Sequence, residues 1–206
     1  MTPGKFITLE GLDGAGKTTH LPWLAGFLQA RGIAVCITRE PGGTPVGERL
    51  REIVLDGDER LNPETEALLM FAARREHLDR VILPALNAGK WVLCDRFTDA
   101  TYAYQSGGSG VPWAQVEILE RWVHGDFQPD LSLLFDVPPE IGRQRSRGAR
   151  NPDRFEQEAQ EFHVRVRAAY LRRAREHPSR IRVVDASLGP DDVQAELERC
   201  LITICK

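Results

Sequence analysis

Cysteine is scarce in this chain: four in 206 residues, at 36, 94, 200 and 205, with no CxxC pair and no zinc-ligand spacing. That argues against a disulfide-held secreted fold and points to a reduced, cytoplasmic setting. Cys36 and Cys94 lie inside apolar, strand-like runs and are expected to be small buried thiols. No apolar run approaches about eighteen residues, so no membrane-spanning helix is expected. The lead-in "MTPGK" leaves no room for a secretory leader. Charge of either sign is not in excess: the net charge of −3 gives no general attraction to nucleic acid or to an anionic membrane. Repeats, low-complexity tracts and internal linkers are missing, so one domain over residues 1–206 is expected. The guanine-reading NKxD is missing as well, which disfavours a GTPase switch.

What is present is an alternation of short apolar runs with longer helical patterns, the mark of an α/β fold with a parallel sheet. Strands are expected at 5–10, 33–38, 90–94, 131–136 and 181–184, nearly unbroken in apolarity as strands covered on both faces are. Helices are expected at roughly 17–31, 45–56, 64–88, 99–106, 112–124, 139–147, 153–177 and 190–204. Pro63 suits the first turn of one, and Gly32 and Gly89 suit left-handed stops after two others.

The first strand runs into "EGLDGAGKTT", which fits GxxxxGK[ST] and is followed by a helical pattern. Its glycines allow backbone N–H groups to turn inward around phosphates, aided by the positive end of the helix. The expected triphosphate cradle is Gly11, Leu12, Asp13, Gly14, Ala15, Gly16, Lys17, Thr18 and Thr19. Lys17 would reach the outer phosphates and the Thr18 hydroxyl would ligate Mg²⁺. Asp95 and Arg96 directly follow the strand expected at 90–94, at its carboxyl end, where open α/β sheets bind ligands. Asp95 offers a carboxylate for Mg²⁺ or its water, and Arg96 a fork for phosphate; a plain surface ion pair is the competing reading. On the helix at 64–88, Phe71, Arg75, Leu78 and Ile82 share one stripe. A ring and a guanidinium one turn apart suit a planar heterocycle, although such an arginine often snorkels from a helix flank. Asp136 has no basic neighbour and reads as structural. The segment Arg143–Arg154, "RQRSRGARNPDR", carries five arginines and one acid. It reads as a solvated basic loop or as a lid over anions.

Taken together, "FITLEGLDGAGKTT", "TREPGGTPVGERLR", "LLMFAARREH", "DRFTDATYAYQ", "PDLSLLFDVPPEIG" and "DRFE" resemble bacterial thymidylate kinase over residues 6 to about 190. The resemblance implies a P-loop kinase fold with a five-stranded parallel sheet flanked by helices and an arginine-rich lid at about 143–154. It implies transfer of the γ-phosphate of ATP to dTMP, giving dTDP and ADP with Mg²⁺ in dTTP biosynthesis, by a cytoplasmic homodimer. Residue by residue, Asp13 would accept from the sugar 3′-hydroxyl, Glu40 would face sugar and phosphate, and Arg51 and Arg96 would hold the dTMP phosphate. Phe71 would stack on thymine, Arg75 would bond its O4, Thr101 and Gln105 would line the base edge with Thr101 near N3, and Tyr104 would lie under the deoxyribose. Position 15 is Ala15, so the family's loop arginine must be supplied from the lid, by Arg147 or Arg150. An adenylate kinase is disfavoured because its loop usually reads GxPGxGKGT. A nucleoside kinase, or a binding module without catalysis, are the remaining readings.

Overall fold

The computed structural model describes residues 4–55, 60–146 and 153–205. Five parallel strands form one sheet in the order β2–β3–β1–β4–β5. They are β1 (Phe6–Gly11), β2 (Val35–Arg39), β3 (Trp91–Asp95), β4 (Leu131–Asp136) and β5 (Ile181–Asp185). β1 is buried throughout, with Thr8 opposite Cys94 on one side and Ser132 on the other. The edge strands are less covered than their apolarity predicts, with Ile37 and Val183 exposed.

Helix α1 (Lys17–Gln29) places Leu24, Ala25 and Leu28 against Ile7, Leu9 and Leu133, and the cluster is closed by Leu197 and Leu201 of α9 (Pro190–Ile204). A second cluster sets Phe71, Leu78 and Ile82 against Phe6, Val92 and Cys94. A third lies under α8 (Gln160–Glu176), where Phe162, Val166 and Tyr170 meet Tyr104 and Leu134. The remaining described helices are α2 (Pro45–Leu55), α3 (Pro63–His77), α4 (Leu83–Asn87), α5 (Thr98–Thr101), α6 (Trp113–His124) and α7 (Pro139–Ser146). None in the described residues is long and apolar enough to cross a membrane.

Three of the expected helices, those at 64–88, 99–106 and 153–177, depart from expectation. The stretch expected at 64–88 is divided by a π-helical turn at Leu78–Ile82. Pro84 lacks an N–H and its ring crowds the preceding turn, and the Leu83 N–H bonds Leu78 O, five residues back. The helix expected from 153 begins only at Gln160, because the Asp153 carboxylate accepts from Glu156 N and closes a separate turn. A second π-helical segment, Tyr102–Gly108, follows α5 and packs closely on α8. A Cβ on Gly108 would stand 2.4 Å from the Phe162 ring, so no larger residue fits there.

Candidate active site

The site lies at the carboxyl ends of β1 and β3, where the first loop turns into α1. Gly16 has φ 92°, a conformation that lets the loop curl before Lys17 starts the helix. Gly14 is fixed by contact as well as by its φ of 74°: a Cβ there would lie 2.1 Å from Gly142 O of α7. Lys17 is buried and donates to Gly11 O and Leu12 O at 3.0 and 2.9 Å. Burial and then Arg96 lower its pKa, opposed by Asp13, Asp95 and Glu10. Gly14 to Thr19 line a cleft of about 660 Å³, completed by Arg145, Ala186, Leu188 and Pro190. His20, for which the sequence pattern suggested no role, also lines it.

A second cavity, of about 240 Å³, opens on the other side of the loop. Asp13, Thr18, Asp95 and Glu156 line both spaces and so mark their junction. Arg96 is the one described non-glycine residue with positive φ, 71°, a strained backbone of the kind that clusters at functional sites. Its Nη1 donates to Gly11 O and Tyr170 Oη, and its Nη2 to Asp13 Oδ1 at 2.5 Å. The guanidinium lies 4.8 Å over the Tyr104 ring. Burial pushes the Asp13 pKa up, but Arg96 and Lys17 outweigh it and bring the carboxyl to about 2. Asp13 is therefore a fixed anion facing both spaces.

Among the described residues there is no cluster of three or more His, Cys, Asp or Glu suited to a metal. Asp95 Oδ1 is buried without a hydrogen-bond partner among the described residues, and Asp95 shares the junction of the two spaces with Thr18. One orphaned carboxylate oxygen and one hydroxyl fit Mg²⁺, which usually takes few protein ligands and completes its octahedron with phosphate and water.

The deep end of the smaller cavity is polar on one wall. Arg74 donates from Nε to Glu40 Oε2 at 2.8 Å and from Nη2 to Thr101 Oγ1 at 3.1 Å. Its Nη1 is buried with no hydrogen-bond partner among the described residues. His77 holds the other Glu40 oxygen at 3.0 Å. Gln105 closes this wall, and Met70, Phe97, Ala100, Tyr104 and Phe155 supply apolar surface. At the shallow end Arg51 donates to Pro41 O. Burial, then Arg39, lower its pKa, and Arg96 adds to this, a like-charge crowding that an anion would relieve.

Two expected residues fall outside. Phe71 is buried in the core against the sheet and does not line the cavity. Arg75 turns outward, pairing with Asp79 and donating to Val123 O at 2.5 Å. The corresponding pair that does line the cavity is Met70 and Arg74, one position earlier in "LLMFAARREH". The doublet Arg74-Arg75 offered two registers, and the ring of Phe71 pointed to the wrong one. Asp153, Phe155 and Glu156, all within the quoted block "DRFE", also line the cavity, although the sequence assigned none of them a substrate contact. Arg147 and Arg150 lie outside the described residues. Asp136 forms a two-point ion pair with Arg167, in keeping with a structural role.

A family model for thymidylate kinase matches residues 9–197. The chain is 60% identical over 201 residues to the thymidylate kinase of Nitrosospira multiformis, covering 98% of each. It is 57% identical over 208 residues to that of Burkholderia cenocepacia, covering 99% of this chain and all of the relative. Its fold matches the crystal structure of thymidylate kinase from Ehrlichia chaffeensis with a TM-score of 0.78 at 34% identity, over 97% of this chain and 99% of the other. The P-loop kinase fold expected from the sequence is thus borne out.

Proposed function

The chain belongs to the thymidylate kinase family and phosphorylates dTMP to dTDP with ATP as donor; we propose that the larger cleft holds ATP and the smaller cavity dTMP, with transfer at the junction between them. The observation that carries this assignment is the sharing of Asp13, Thr18, Asp95 and Glu156 by both spaces. Two substrates seated there would bring donor and acceptor phosphates together at the amino end of α1.

The dTMP phosphate is already a competent nucleophile, so the difficulty is bringing one polyanion to another. Lys17 and the amides of the loop would cradle the donor phosphates, while Arg96 and Arg51 hold the acceptor phosphate in line. Thr18 and Asp95 would hold Mg²⁺, which when bound neutralises charge on the phosphates. Arg96 is tethered to Gly11 O and Asp13, so its charge is preorganised rather than recruited during reaction. Asp13, an anion beside the cavity, would accept from the 3′-hydroxyl of the sugar. Glu40, expected to face sugar and phosphate, instead has its two carboxylate oxygens on Arg74 and His77, and would shape the base end through Arg74. The unpartnered Nη1 of Arg74 would donate to thymine O4, with Met70 against the ring face, Thr101 and Gln105 at the base edge and Tyr104 below the sugar.

The chain would act as one domain over 1–206, with Arg147 or Arg150 of the lid reaching the transferring phosphate in place of an arginine at Ala15. A homodimer would form through α2, α3 and α6, which leave Ile53, Leu68, Ile118 and Trp122 exposed. The free cysteines suit a cytoplasmic setting, and dTTP synthesis would be the outlet. A coupled assay with ATP and a panel of nucleoside monophosphates, thymidine included, tests the assignment. Preference for AMP, CMP or GMP over dTMP, or for thymidine, would sink it.

A further inference from the structure

Glu66, in the first turn of α3, is buried and does not line the cavity. Its two carboxylate oxygens are divided between two partners. Oε1 lies 2.8 Å from Arg154 Nη2, and Oε2 accepts from Gln105 Nε2 at 3.3 Å. A carboxylate only accepts, so it dictates which end of a neighbouring amide faces it. The Gln105 nitrogen must turn to Glu66. Gln105 lines the cavity, so its oxygen is the end left for whatever binds there.

On the same wall Arg74 behaves in the opposite sense. Its Nε and Nη2 are taken by Glu40 and Thr101, and its buried Nη1 has no acceptor. The wall therefore carries a donor from Arg74 and an acceptor from Gln105. A pyrimidine with a 4-oxo group and N3–H matches both. Cytosine inverts both, with a 4-amino donor and an N3 acceptor. Buried polar groups left unpaired by the wrong base are the strongest source of discrimination available to such a pocket.

We propose that Glu66 is a positioning residue for base selection: by holding the Gln105 amide nitrogen it presents the Gln105 oxygen to N3–H, and so favours thymine and uracil over cytosine. The proposal rests on reading the smaller cavity as the dTMP site. The same carboxylate also anchors Arg154, whose Nε donates to Val54 O at 3.3 Å. Arg154 directly precedes Phe155 and Glu156, which line the cavity. Glu66 thus ties the segment that follows the arginine-rich stretch to the residue that reads the base.

The test measures Kd of dTMP, dUMP and dCMP, and KM for ATP, on the full chain carrying Glu66→Gln. A glutamine at 66 can donate as well as accept, so it no longer fixes the Gln105 amide. The ratio of the dCMP to the dTMP Kd is expected to fall about tenfold, the scale of one net hydrogen bond. The dUMP to dTMP ratio and KM for ATP should hold. Glu66→Asp keeps the negative charge but shortens its reach to Gln105, already 3.3 Å away, so it should lower the same ratio even if Glu66→Gln folds poorly. A parallel weakening of all three nucleotides, with both ratios unchanged, would mean a merely structural role and overturn the proposal. Gln105→Ala separates the layers: a raised Kd for dTMP there, beside unchanged ratios in both Glu66 variants, overturns this proposal alone. An unchanged Kd in Gln105→Ala overturns the reading of the cavity along with it.

Discussion

Arg74 and Glu40 form a buried ion pair at 2.8 Å, joining α3 to the loop after β2 across 34 residues of chain. Removing one partner of such a pair strands the other charge out of water. Arg74→Ala is therefore expected to destabilise the fold by about 3–5 kcal/mol and to raise KM for dTMP well above tenfold with less effect on ATP. Arg75→Ala should leave both stability and KM near wild type, since Arg75 is paired at the surface. Denaturant titration and steady-state kinetics on the two neighbours decide the register. Equal effects on dTMP would reinstate Arg75.

Arg96 combines a left-handed backbone with a side chain tethered at three points. Losing it should reduce kcat by about 10²–10³, the usual scale for a preorganised charge at a transition state. Arg96→Gly should be as inactive as Arg96→Ala but more stable by up to about 1 kcal/mol, because only glycine adopts this φ freely. If the alanine variant were the more stable, the backbone would not be under strain.

His124 supplies a pH dependence. Its Nδ1 lies 2.8 Å from Phe127 O and its Nε2 2.9 Å from Thr98 Oγ1, which suits the neutral ring. Burial, and then Arg74, hold its pKa down at about 4. Between that value and about 6.5 the unfolded chain binds a proton that the folded chain refuses, so stability falls as pH drops through this window. The loss should approach about 3 kcal/mol by pH 4. His124→Gln should flatten the slope in urea titrations from pH 7 to 4.5, and an unaltered slope would assign it to other groups.

Asp95 Oδ1 and the Thr18 hydroxyl are the two protein oxygens proposed to hold Mg²⁺. Chelation should abolish turnover, and Asp95→Asn should raise the Mg²⁺ concentration needed for half-maximal rate. Unchanged Mg²⁺ dependence in that variant would remove Asp95 from the ligand set.

Trp122 is 80% exposed on α6, one turn from the exposed Ile118. A large aromatic left in water beside further apolar side chains marks an interface. If the proposed homodimer forms through this face, Trp122→Glu should sediment as a monomer where the wild type sediments as a dimer, and an unaltered mass would place the interface elsewhere.

The central strands, the phosphate loop and most helix limits were legible because each has a local cause. Gly32 and Gly89 adopt φ 77° and 75°, and Asn62 caps α3 by accepting from Glu64 N. The break at Leu78–Ile82 and the late start of α8 were not legible, since a smooth helical period hides both Pro84's effect and the turn closed by Asp153. Nor did any local signal join Glu66 to Gln105, or Asp95 to the junction of two cavities.

By itself the sequence determined the loop proposed to hold the phosphate donor. A strand, a glycine-rich turn and a helix beginning at Lys17 form a phosphate cradle through backbone geometry alone. It also determined that a carboxylate and an arginine stand at the end of β3. The tertiary structure decided the lining of the cavity proposed for the acceptor. Successive residues on a helix point about 100° apart, so only the docking of α3 could settle which arginine of Arg74-Arg75 enters the pocket. Phe71 filled the core against Phe6 and Val92, and that packing turned Met70 and Arg74 toward the cavity and Arg75 toward water.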